Sequence, residues 1–212
     1  MNVAASRHGA AFGGRRQGDE VSLRDWVAVF GAILGAFMAV LDIQITNASL
    51  EYIQGGLAAS IDEGSWISTA YLMAEIVIIP LTSWLAGVFS LRLYLLASCI
   101  GFLVFSVLCG LATGLPMMIL CRVGQGLTGG ALIPTAMSTV LTRLPPSRRP
   151  MGLALFGFTA TFAPAIGPTV GGWLTITYSW QYIFYVNIIP GLILIWASRF
   201  VGAGVRSGQP SA

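Results

Sequence analysis

Six blocks of predominantly apolar residues run along this chain, separated by short polar stretches: Trp26 to Ala48, Trp66 to Phe89, Leu93 to Ala112, Met117 to Leu141, Met151 to Ile176 and Tyr182 to Val201. A helix needs about 20 such residues to cross about 30 Å of hydrocarbon, so each block is long enough to span a bilayer. The pattern predicts an all-α membrane protein, a six-helix bundle over residues 25–202. Residues 1–24 are polar and rich in Gly and Arg and read as a disordered tail, and residues 203–212 form a second tail. The first block is too long for a cleaved signal.

Within the blocks, small residues recur at helical spacing. In lipid no hydrophobic drive joins helices, so close backbone approach at small residues has to do it. Ala28, Gly31, Gly35 and Ala39 share one face of the first block, which continues into Asp42, Thr46 and Ser49 and is therefore expected to look into protein or water. Arg122, Gly126 and Gly130 repeat the pattern in the fourth block, and Gly167 and Gly171 in the fifth. Pro80, Pro134, Pro164, Pro168 and Pro190 all fall inside blocks, where each removes a backbone donor and predicts a kink.

Composition agrees: 56% of residues are hydrophobic and 9% charged, far below the roughly 25% charge of a soluble domain. The net charge of +3 does not indicate nucleic acid, because the basic residues lie between apolar blocks with no aromatic-rich polar surface around them. They report topology instead. Arg7, Arg15, Arg16 and Arg24, then Arg92, then Arg143, Arg148 and Arg149, and finally Arg199 and Arg206 all fall on one side of a six-span layout. The opposite loops hold no basic residue, and the longest carries Glu51, Asp62 and Glu63, so both termini are expected in the cytoplasm. Cys99, Cys109 and Cys121 lie in apolar blocks and read as packing thiols. No metal or cofactor site is expected. His8, the sole histidine, lies in the tail, and no HExxH motif exists, which excludes an intramembrane hydrolase built on a buried Ser/His pair or such a motif.

Of the charged residues only Asp42, Glu75 and Arg122 lie well inside apolar blocks. At 1.5 Å of rise per residue, Asp42 and Arg122 both come about 10 Å below the outer surface and Glu75 about 13 Å. An isolated ion at such depth costs at least about 2.5 kcal/mol, so these groups are expected to pair or to face a cavity. Desolvation favours the neutral form of a carboxylate and a nearby guanidinium the charged form. A carboxylate balanced between them can load and release a proton, and competition between proton and a cationic substrate for it is the simplest coupling scheme. Asp42, Arg122 and Glu75 are the expected coupling residues.

Several stretches resemble a known family. Leu41-Asp42-Ile43-Gln44-Ile45-Thr46-Asn47-Ala48-Ser49-Leu50 resembles the acidic first-helix motif of major facilitator drug:proton antiporters of the fourteen-span, EmrB/QacA type. Arg122-Val123-Gly124-Gln125-Gly126-Leu127-Thr128-Gly129-Gly130 is similar to the superfamily's RxxQGxxGG motif, and Ala163-Pro164-Ala165-Ile166-Gly167-Pro168-Thr169-Val170-Gly171-Gly172 to the antiporter motif ending GPxxGG. Tyr71 to Glu75, Ile79 to Ala86 and Ser179 to Asn187 are also family-like. The resemblance implies a six-helix half of the major facilitator fold, two inverted three-helix repeats, exporting small lipophilic drugs, cationic ones included, against protons. Thr46, Asn47, Tyr71 and Gln125 are then the expected substrate-cavity residues, and Pro164, Gly167, Pro168, Gly171 and Gly172 a bend that shapes the gate.

Three departures qualify it. Where the family's cytoplasmic gating motif (GxxxDRxGRR) belongs, the chain reads Ser83 to Arg92 without the acid and most of the bases. Glu51 stands where a proline is usual. Members carry twelve or fourteen spans against six here, so a C-terminal six- or eight-helix half, or a second copy, is the expected partner. A nutrient facilitator and a truncated non-transporting membrane protein are the competing readings.

Overall fold

The structure, a computed structural model, describes residues 21–201. The expected tails therefore lie outside the described residues save for 21–24, as do Arg7, His8, Arg15, Arg16 and Arg206. Every regular element among the described residues is a helix.

Helix α1 (Leu23–Ala48) is the first span, and it begins inside the expected tail because Ser22 caps it by accepting from the Arg24 amide. A short helix not foreseen from the sequence, α2 (Leu50–Gly56), covers the outer end. The second span, α3 (Ile61–Phe89), starts five residues before Trp66. A reciprocal capping box accounts for the extension: Ser60 accepts from the Glu63 amide while Glu63 accepts from the Ser60 amide. Ser90 alone, at a φ of 69°, joins α3 to α4 (Leu91–Gly110), the third span, so the Ser83 to Arg92 region of the missing gating motif is helical on both sides of a one-residue turn.

The fourth block is not one helix. It divides into α5 (Leu115–Gly129) and α6 (Leu132–Arg143). Gly130 and Ala131 keep right-handed helical torsions, so the axis carries on while the hydrogen-bond ladder lapses. The cause is Pro134, which has no amide to offer the carbonyl four residues earlier, at Gly130. The sixth block divides in the same way, into α8 (Tyr182–Tyr185) and α9 (Ile188–Val201), with Pro190 four residues beyond Val186. By contrast α7 (Arg149–Thr177), the fifth span, runs unbroken through Pro164 and Pro168.

Packing reveals an internal repeat. The first span packs chiefly on the fifth and sixth, α1 on α7 and α9, while the fourth packs on the second and third, α5 on α3 and α4. Exchanging spans one to three for four to six maps this arrangement onto itself. Because three spans is an odd number, the second set crosses the membrane in the opposite sense. The first span is 56% buried along its most apolar stretch, whereas the second and fifth are each 17% buried and present open apolar flanks.

The small-residue faces lie where close approach requires them. A Cβ on Gly31 would overlap that of Ala197, and one on Gly35 would overlap Leu194, so α1 and α9 run antiparallel in contact. On α5 a Cβ at Gly126 would strike the Tyr71 carbonyl of α3, and on α7 one at Gly171 would come 3.0 Å from the Ile45 carbonyl of α1. Arg143 pairs with Asp25 at 3.2 Å, joining the ends of α6 and α1 that lie on the Arg-rich side. Glu51, Asp62 and Glu63 stand at the opposite end.

Candidate functional site

Asp42 and Arg122, predicted at one depth from separate spans, meet. Arg122 Nη1 donates to Asp42 Oδ2 at 2.6 Å, and both residues are 1% exposed. The small residues that bring α1, α5 and α3 together place this pair, because α5 reaches α3 only where Gly126 leaves room.

Neither ion is left with a single partner. Arg122 Nη1 also donates to Gln125 Oε1 at 2.7 Å, its Nε donates to the Ile67 carbonyl of α3 at 3.3 Å, and its guanidinium lies 4.3 Å from the centre of the Tyr71 ring. A cation over an aromatic face gains about 2 kcal/mol when desolvated, which favours the guanidinium's place against the second span. On the carboxylate side, Asp42 Oδ1 accepts from Gln125 Nε2 at 3.0 Å and from Asn187 Nδ2 at 2.6 Å. Asn187 further donates to Ser106 Oγ at 3.0 Å, and Ser106 donates to the Phe184 carbonyl at 2.7 Å. One ion pair thus ties five of the six spans, all but the fifth. Full hydrogen bonding of both charges is the condition under which a buried pair is tolerated at all.

Asn187 and Ser106 were not among the expected site residues. Asn187 is accessible to this role because it lies in the break between α8 and α9. The signals in the sequence were its place at the end of the family-like stretch Ser179 to Asn187 and a neutral amide inside an apolar block, four residues before a glycine and three before Pro190.

The remaining expected residues divide. Tyr71 and Gln125 are fully buried in the cluster. Thr46 is buried but its hydroxyl has no partner among the described residues, and Asn47 is exposed and accepts from Ser68 at 2.6 Å. Neither touches the ion pair. Glu75, 8% exposed, lies one turn along α3 from Tyr71, with no hydrogen bond or ion pair to any described residue. It packs on Gly130 instead, whose Cβ position is 2.9 Å from Glu75 Cγ. In the antiporter motif, Gly167 and Gly171 are buried against α1 while Pro168 is exposed and Gly172 has open space beside it. Cys99, Cys109 and Cys121 are free and buried, Cys109 donating to Gln125 Oε1 at 3.6 Å. Among the described residues no group of three His, Cys, Asp or Glu could hold a metal ion.

The arrangement can do one thing chemically. Asp42 accepts from a guanidinium and two amides, which fills three of the roughly four lone-pair sites of its carboxylate and leaves about one for a proton.

Comparison with known proteins bears on the family and the fold. The Colistin resistance protein EmrB of Acinetobacter baumannii is 45% identical over 169 residues, 80% of this chain and 33% of the relative. The Multidrug export protein EmrB of Escherichia coli is 39% identical over 163 residues, 76% of this chain and 32% of the relative. This chain spans about a third of the length of these relatives, matching 33% and 32% of them. A crystal structure of a bacterial homologue of the human lysosomal transporter Spinster, inward-facing and unoccupied, superposes with a TM-score of 0.62 at 16% identity, over 91% of this chain and 46% of that one. That likeness shows a shared fold. The sequence also matches the Major Facilitator Superfamily over residues 32–211, and with helices built to cross a bilayer the chain is an integral membrane protein that belongs to this family of transporters.

Proposed function

We propose that this chain acts as the N-terminal, six-span half of a proton-coupled multidrug efflux transporter, with Asp42 and Arg122 as its proton-coupling pair. The observation that carries the reading is the 2.6 Å ion pair with both partners 1% exposed, bonded to five spans. Retaining two charges in a bilayer costs several kcal/mol, and a structural role is met as well by apolar packing. Protonation of Asp42 cancels its attraction for Arg122, loosening contacts to the second, third and sixth spans together. Movement of helices around a site near the midplane follows from such a release.

Relatives named as multidrug export and colistin resistance proteins support drug-like substrates. Small lipophilic molecules, cationic ones included, suit a site with two carboxylates. The open flanks of the second and fifth spans fit a C-terminal half of six or eight helices, or a second copy, and Pro168 of the Pro164 to Gly172 stretch of α7 lies on one of those flanks while Gly167 and Gly171 pack on α1. The segregation of Arg24, Arg92, Arg143, Arg148, Arg149 and Arg199 to one side supports the reading of a cell-membrane protein with both termini in the cytoplasm.

The test is energy-dependent dye efflux from cells expressing the chain together with a candidate C-terminal half. Asp42→Asn keeps the shape and removes the charge, and is expected to cut efflux at least tenfold at equal membrane abundance. Parent-level efflux by this variant would remove Asp42 from the mechanism.

A further inference from the structure

Beside the ion pair, three oxygen-bearing groups lack a donor among the described residues. The Tyr71 hydroxyl is fully buried with no partner among the described residues. The Glu75 carboxylate, 8% exposed, has neither hydrogen bond nor ion pair to any described residue. The Gly130 carbonyl has lost its amide at Pro134, and no other backbone amide among the described residues takes it up. All three gather at one step of the fourth span: the Cβ position of Gly129 is 2.6 Å from Tyr71 Oη, and that of Gly130 is 2.9 Å from Glu75 Cγ.

Charge counting says what the place requires. Asp42 and Glu75 supply two carboxylates and Arg122 one guanidinium, and Arg122 is already spent on Asp42. Ionised, the cluster carries one negative charge in excess within the bilayer, to be met by one positive charge. A divalent metal does not suit it, since a single free carboxylate is available and no group of three His, Cys, Asp or Glu exists among the described residues. Acceptor oxygens from a carboxylate, a carbonyl and a phenol match the N–H donors of an ammonium group. On either side of Glu75 along α3, Leu72 and Ile79 are 40% and 42% exposed and offer apolar surface to whatever carries that charge.

We infer that Glu75, the Gly130 carbonyl and the Tyr71 hydroxyl form a recognition site for a lipophilic ammonium ion, distinct from the proton-coupling pair. It deepens the proposed efflux function by dividing the labour: the proton is handled at Asp42 and the charge of the substrate at the break in the fourth span. Discontinuous membrane helices expose carbonyls to cations in the same manner.

The test uses the 212-residue chain purified in detergent and dansylcadaverine, a fluorescent dye with a primary ammonium on an apolar stem. The parent is expected to bind it at one equivalent, Glu75→Gln to bind at least tenfold more weakly, and Glu75→Asp to stay within a few fold. The neutral N-acetyl form of the dye should bind parent and Glu75→Gln alike. Sodium in large excess should not compete; competition would mean that the site takes inorganic cations and would overturn the assignment. Helicity and size-exclusion profiles equal to the parent's certify each variant as folded. Absence of binding by the parent, or unchanged binding by Glu75→Gln, would overturn the inference. Neither result touches the Asp42 efflux experiment, which is done with Glu75 intact, so the two ideas fail separately.

Discussion

At the scale of single residues, the ion pair and the glycines make opposite demands. Arg122 is bonded to Asp42, Gln125 and the Ile67 carbonyl and stacked on Tyr71. Arg122→Leu leaves the Asp42 charge buried with only amide donors, and removing one partner of such a pair costs about 3–5 kcal/mol. A large drop in the thermal unfolding midpoint in detergent is expected, and an unchanged midpoint would contradict the bonding described. Gly126→Ala drives a methyl into the Tyr71 carbonyl, whereas Gly172→Ala meets open space. Overpacking of this kind costs about 1–3 kcal/mol, so the first variant should unfold at lower temperature and the second at the parent's. Both facts were partly legible beforehand. Depth arithmetic put Asp42 and Arg122 at one height, and the two side chains meet at 2.6 Å because helix rise is invariant. Azimuth is not fixed by depth, which is why Glu75, expected beside Asp42 and Arg122, does not share their hydrogen bonds; Thr46 and Asn47, expected in the substrate cavity, do not touch the pair.

At the scale of elements, the unexpected features are the breaks. Pro80, Pro164 and Pro168 sit in unbroken helices, while Pro134 and Pro190 interrupt theirs. Proline by itself predicts a lost donor, and its neighbours decide whether the ladder lapses. Gly129 and Gly130 precede the first break, and Asn187, engaged with Asp42 and Ser106, occupies the second. Asn187 escaped notice because a neutral amide carries no large burial cost to flag it. Two variants examine these elements. Pro134→Ala restores an amide opposite the Gly130 carbonyl, so helicity by circular dichroism should rise, with stability up by as much as about 3 kcal/mol. The same variant should weaken dansylcadaverine binding, since one acceptor is withdrawn. Asn187→Ala removes a donor from Asp42 and leaves Ser106 Oγ without its amide, a loss of about 1–3 kcal/mol that thermal unfolding would register.

At the scale of the molecule, the six-span layout and the Arg-rich side were readable because insertion energetics act on long blocks and on loop charge, both plain in the sequence. The repeat was not readable from residues alone. It emerges from packing, in which the first span stands to the fifth and sixth as the fourth does to the second and third. Such a half leaves the second and fifth spans largely uncovered, and the Asp42–Arg122 pair lies behind the second, reached through Ile67 and Tyr71. The central claim is that charge movement at Asp42 is coupled to substrate movement. Its most direct test is proton flux in proteoliposomes holding this chain with a C-terminal half, under an imposed gradient of a cationic dye and with lumenal pH recorded. Dye movement is expected to drive protons the opposite way in the parent and to leave lumenal pH unchanged in Asp42→Asn. Equal proton flux in the two would contradict the account.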